Sequence, residues 1–164
     1  MAPNNLRTLV WESLFGADYA SRYYGYLARR LAVKDRAYSL VLTLLTSGAF
    51  LVLLLELDIP KAAEIIAFFA AGLSLFLTFQ KYSKAAQLSA AFHKRWSQQS
   101  TEYEGLWQRL DELDPEEILG RWTELSRREA EINEFATVEF SEDGKLQRRC
   151  YEEVARVRRL PEAA

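Results

Sequence analysis

A single cysteine and a single histidine are all that 164 residues supply of those types. With only Cys150, an intramolecular disulfide is excluded, and the chain suits a reducing compartment. Cys150 falls on the apolar side of a helical pattern and reads as a small buried hydrophobe, not a nucleophile. His93 stands beside Lys94 and Arg95 with no cysteine or carboxylate at ligand spacing, which marks it as a solvated or headgroup-facing ring. No glycine-rich phosphate loop, nucleophile elbow or metal-ligand cluster occurs. Catalytic, cofactor and metal assignments are therefore none, and the chain reads as a non-enzyme. Residues 1 to 36 lack an apolar h-region and carry three acids, so no secretory leader is expected.

Charge is missing over two long stretches. Nineteen consecutive residues, Ala37 to Leu55, carry none; a nine-residue acidic segment follows, and a second uncharged run extends from Ile65 to Gln80. At ~1.5 Å per helical residue the first run just reaches across a ~30 Å hydrocarbon core, and the second does so if Ala62, Ala63 and Glu64 join it. Tyr38 to Leu55 is apolar all round, whereas a helix on a water-facing core shows a polar stripe. Mean hydropathy is slightly negative and 27% of residues are charged, but the charges are segregated from these runs. The expectation is an all-α chain built on a two-helix transmembrane hairpin. An N-terminal juxtamembrane helix (1–36) precedes the hairpin (37–80, spans 37–55 and 62–80), and a cytoplasmic helical hairpin or coiled-coil tail (81–164) follows it.

Orientation is read from the basic residues. Arg22, Arg29, Arg30, Lys34 and Arg36 precede the first span and Lys81, Lys84, Lys94 and Arg95 follow the second, while Glu56, Asp58, Lys61 and Glu64 lie between. Cytoplasmic flanks collect Lys and Arg. Both termini are thus expected in the cytoplasm of a bacterial inner membrane, with Leu57-Asp58-Ile59-Pro60 at the far tip. The net charge of −2 conceals +3 over residues 1 to 36, +4 over 81 to 100, and ten basic against seventeen acidic groups over 101 to 164. The basic collar fits anionic lipid, and the acidic tail belongs in water and would repel nucleic acid.

Val10 to Arg36 reads as a helix, with Tyr19, Tyr23 and Tyr26 on a stripe that ends at Arg30 and lies near the headgroups or packs on a neighbouring helix. After the second span, Phe92, Trp96, Gln99, Tyr103, Leu106, Leu110 and Leu113 alternate steps of four and three, a heptad seam that asks for a partner helix in the same chain or another protomer. Asp114-Pro115-Glu116-Glu117 opens a new helix, since Asp can cap, Pro suits the first turn and acids complement the positive end. Ile118, Trp122, Leu125, Glu129, Ile132 and Ala136 continue the spacing, which predicts an antiparallel pair. Ser141 to Gly144 is turn chemistry, and Thr137 to Phe140 suits a short extended piece. A last helix, Lys145 to Leu160, places Leu146, Cys150, Val154 and Val157 on one side.

Within the runs, Ser39, Thr43, Thr46 and Ser47 share one face, and Ala63, Ala67, Ala71, Ser74 and Thr78 form a small-residue face. Two readings stand. Such faces let spans approach closely and hydrogen-bond; alternatively, hairpins assemble in a ring whose hydroxyls line an aqueous path, with Glu56, Asp58 and Glu64 at its outer end. Glu64 lies three residues after Lys61, its ion-pair partner.

The order of basic helix, two spans with a short loop and a cytoplasmic helix, together with Arg29-Arg30-Leu31-Ala-Val-Lys34 and Leu77-Thr-Phe-Gln-Lys-Tyr-Ser-Lys-Ala-Ala-Gln87, resembles the SLATT family. That resemblance implies an effector of a bacterial conflict system, one that opens membranes when a nucleotide-producing or nucleotide-sensing partner detects infection. The expected function is an oligomeric, pore-forming inner-membrane effector in anti-phage defence; the alternative is a non-conducting anchor that recruits a cytoplasmic protein. Expected partners are the lipid bilayer, further copies of the chain and a cytoplasmic protein or nucleotide-signal partner.

Overall fold

A computed structural model describes residues 3–47, 62–80, 82–134 and 143–158. Among them run five α-helices: α1 (Asn4–Thr46), α2 (Ala62–Gln80), α3 (Tyr82–Gln108), α4 (Pro115–Glu134) and α5 (Gly144–Arg158). No described residue lies in a strand, in keeping with the all-α expectation. The loop tip Leu57 to Pro60, Glu56, Lys61, Ala136 and the extended piece Thr137 to Phe140 lie outside the described residues.

Local chemistry sets the helix starts. Pro3 precedes α1, and its carbonyl accepts from the Leu6 and Arg7 amides at 3.1 and 3.2 Å. With no proline between Asn4 and Thr46, α1 runs 43 residues unbroken. Pro115 opens α4 as its spacing predicts, and the Asp114 carbonyl accepts from Ile118 N–H at 3.0 Å. Asp143 caps α5: its Oδ1 accepts from Leu146 N–H at 3.2 Å and its carbonyl from Gln147 N–H at 2.9 Å.

The chain divides into two compact units, Met1–Leu27 with Ser89–Ala164, and Ala28–Leu88. In the first unit the α3 seam finds its partners within the chain. Phe92, Trp96, Tyr103, Leu106 and Leu110 pack with Ile118, Leu125 and Ile132 of α4, and Leu113 and Trp122 flank the same cluster. A third helix completes it, because Val10, Leu14 and Ala17 of α1 are fully buried there. Gln99, polar at a core position, is buried and donates from Nε2 to the Leu125 carbonyl at 2.6 Å, fixing the register of α3 on α4. Trp122 Nε1 donates to Ser13 Oγ at 3.0 Å, tying α4 to α1. Gln99 and Trp122 are thus partnered where the helices meet, whereas Ser89 Oγ and Trp96 Nε1 are buried without a hydrogen-bond partner.

In the second unit aromatic rings of its helices meet. Tyr38 meets Phe76 edge-on at 5.9 Å and stacks on Tyr82 at 5.7 Å, and Lys34 Nζ lies 5.8 Å from the centre of the Tyr82 ring.

No described helix is long and apolar enough to cross a membrane. This corrects the two-span hairpin and the inner-membrane, multi-pass placement with cytoplasmic termini that rested on it. Length and charge give the reason. Of the first uncharged run, the described helix holds only Ala37 to Thr46, a rise of about 15 Å entered through Lys34, Asp35 and Arg36. The 19 residues of α2 rise about 28 Å, and Glu64 in the first turn and Gln80 at the end leave an apolar part shorter than the ~30 Å required.

Candidate functional site

Two features of the surface stand out from the packed core: the seat of α5 and the uncovered faces of α1 and α2. In the seat, Asp18 of α1 is 8% exposed, unusual for a carboxylate without nearby cations. Two arginines answer it. Arg22, one turn on, donates from Nε to Oδ1 at 3.0 Å, and Arg158 of α5 donates from Nε to Oδ2 at 3.1 Å. Arg158 also pairs through Nη1 with Glu104 of α3, so a single guanidinium ties three helices. Burial works against its charge, but Glu104 and Asp18 outweigh that and raise its pKa.

At the other end of the seat, Tyr26 donates its hydroxyl to Glu153, 2.9 and 3.1 Å from the two carboxylate oxygens, and Arg149 lies 4.8 Å over the Tyr26 ring. Desolvation pushes the Glu153 carboxyl upward, yet the Tyr26 hydroxyl and the Arg149 and Arg22 guanidiniums hold it below the ordinary carboxylate value. Apolar contact is slight by comparison. Cys150 and Val154 are fully buried and Tyr151 meets Phe15 edge-on at 5.4 Å. Burying Val154 contributes about 1.5–3 kcal/mol, and removing Arg158 alone would leave the Asp18 carboxylate buried beside Glu104 at a cost of roughly 3–5 kcal/mol, so α5 is sensitive to loss of that one guanidinium.

The expected headgroup stripe therefore has other occupations: Tyr26 serves the seat, and Tyr19 stacks on Tyr23 at 6.4 Å. His93 is exposed and its Nδ1 donates to the Ser21 carbonyl at 2.8 Å. Among the described residues, no three or more His, Cys, Asp or Glu side chains are grouped to hold a metal ion.

The second feature is apolar. On α2, Phe68, Phe69 and Leu75 are 77%, 63% and 62% exposed, and on the later part of α1, Val33, Leu40, Val41 and Leu44 are exposed as well. None of the described α2 side chains is buried by this chain. The polar candidates lie on these same helices. Ser39, Thr43, Glu64 and Ser74 are exposed and Ser47 is half-buried, while the Thr46 and Thr78 side chains lie outside those described. Thr43 Oγ1 donates to the Ser39 carbonyl at 2.8 Å and Ser47 Oγ to the Leu44 carbonyl at 2.9 Å, so both hydroxyls are used by their own helix. Ala67 and Ala71 of the small-residue face are exposed. A groove of about 470 Å³ between α3 and α4, with Arg109 and Arg121 at its walls, has Arg128 held between Glu102 and Glu124.

Compared with protein-family models, curated proteins and solved structures, the chain matches none. Its site is thus read from its own residues.

Sequence reasoning missed the α5 seat. A signal was present in each helix: Asp18, Arg22 and Tyr26 are spaced four apart, as are Arg149 and Glu153, and such files of charge along one helix side suggest a polar contact with another element. It also missed the core face of α1, although Val10, Leu14 and Ala17 follow the four-three spacing.

Proposed function

We propose that this chain is a self-associating helical module without catalytic machinery, in which the apolar faces of α1 and α2 join copies into a homo-oligomer. One observation carries the reading: an almost wholly apolar helix, α2, buries none of its described side chains against its own chain. A helix apolar all round needs cover, and exposed apolar patches of this kind mark association surfaces. Further copies present the same surface, and closed symmetric assemblies of identical chains are the commonest way to cover one. Membrane permeabilisation and membrane anchoring are not carried into this reading, since both need the spans corrected above.

Cysteine cross-linking tests the interface. In a Cys150→Ala background, Phe68→Cys should give disulfide-linked dimers under mild oxidation, and Glu117→Cys, exposed on α4, should not. Equal yields from both positions, or none from Phe68→Cys, would contradict the reading.

A further inference from the structure

The seat of α5 belongs neither to the main core nor to the proposed assembly surface, and it has the makings of a recognition groove. Eleven buried residues from α1, α3 and α4, together with the turn after α3, form the core cluster, and α5 contributes none of them. What α5 covers is a patterned surface. Asp18 and Glu104 receive a guanidinium, Phe15 meets an aromatic edge, and Tyr26 and Arg22 receive a carboxylate.

We infer that this face of α1 and α3 is a docking groove for an arginine-bearing amphipathic helix of a partner protein, closed in this structure by the chain's own α5. The partner is defined by charge complementarity. It places one arginine between Asp18 and Glu104, an acid against Tyr26 and Arg22, and a small apolar file between them, as Arg158, Glu153 and Cys150 with Val154 do in α5. Helix-in-groove recognition uses such spaced anchors. The contact that closes the groove is mostly polar, whereas α4 is held by Ile118, Leu125 and Ile132 in the core. Charge reversal at the seat should therefore free α5 and leave the three-helix core standing. Tethering raises the effective concentration of α5 at its seat, so a partner competes only once that seat is weakened. This inference does not rest on the proposed self-association.

Cys150 reports the opening, being fully buried on the inner face of α5 and the only thiol of the chain. In the full chain, a thiol reagent should label it slowly at low salt. At about 1 M salt labelling should stay slow, because pairs withdrawn from water, as Arg158 and Asp18 are, are little screened. Arg158→Glu should quicken it at least about a hundredfold, the scale of losing a partner from a buried pair. Tryptophan fluorescence should stay native throughout. A fluorescent peptide of residues 143–158 carrying Cys150→Ala should then bind the Arg158→Glu chain saturably and the wild-type chain little, and the same peptide with Arg158→Glu should bind neither.

Labelling that tracks unfolding of the tryptophan core would overturn the inference. So would a peptide that fails to bind the Arg158→Glu chain once Cys150 is open. Capture of an intact wild-type chain, in preference to the peptide, would move the occupant to a second copy and overturn it too.

Discussion

The Tyr103 hydroxyl donates to Glu129 Oε2 across 3.1 Å, joining the seams of α3 and α4 at a point where both side chains are withdrawn from water. Burial raises the Glu129 carboxyl above its ordinary value, against the opposing hydrogen bond from Tyr103. The folded chain therefore keeps a proton that the unfolded chain loses near pH 4.5. Stability from this group is full below that pH and is lost as pH rises through the raised folded value. Glu129→Gln retains an acceptor for Tyr103 and should flatten this acid-range slope, with stability at pH 7 unchanged or higher. Tyr103→Phe should cost about 1–2 kcal/mol at pH 7, since the half-buried carboxylate loses its donor. Urea unfolding between pH 4 and 8 measures both.

The same tyrosine sets an alkaline limit. Burial first, and the Glu129 charge second, push Tyr103 from 10.0 up to about 12. Between those values the unfolded chain has released the phenolic proton and the folded chain has not, so stability falls as pH rises. Tyrosinate absorbance should show one of the eight tyrosines ionising last, together with loss of helicity, and Tyr103→Phe should remove that late step.

Glycines at two helical positions should respond oppositely. A Cβ at Gly16 meets nothing within 4 Å, so Gly16→Ala should stabilise by roughly 0.5–1 kcal/mol through helix propensity. At Gly25 the added carbon would meet His93 Nδ1 at 3.1 Å and Cε1 at 3.3 Å, disturbing the bond to Ser21. Gly25→Ala should show no gain in thermal denaturation, and His93→Ala in the same chain should restore it.

Core and surface apolar residues should separate cleanly. Leu14→Ala removes a fully buried side chain and should cost about 2–5 kcal/mol in denaturant unfolding. Phe69→Ala removes one that is mostly exposed, so it should leave the stability of the three-helix core within about 0.5 kcal/mol.

The α3 and α4 pair was legible because heptad spacing with large apolar residues at Phe92, Leu106, Ile118 and Leu125 is a strong local signal. The α5 face was legible in part: Cys150 and Val154 are buried and Leu146 half-buried, but Val157 of the same file is exposed. The α1 contribution was obscured by small and polar residues, Ala17 and Ser21, beside a more conspicuous tyrosine stripe. Asp18 and Arg158 lie 140 positions apart, and the file of charge along each helix does not say which residue of the other it meets. The span expectation counted uncharged residues, whereas crossing a bilayer depends on the apolar length of the helix that forms. Glu64 and Gln80 at the ends of α2 and the charged triplet Lys34 to Arg36 within α1 set that length.

The mass of the full chain in solution, measured by light scattering over a range of concentrations, tests the central claim most directly. The account predicts a closed multiple of the 18.9 kDa chain mass. It also predicts that Phe68→Gln, Phe69→Gln and Leu75→Gln together reduce it to the monomer while Gln99, Tyr103 and their neighbours keep the core folded. A wild-type chain that stays monomeric at every concentration, with those three side chains bare to water, would contradict it.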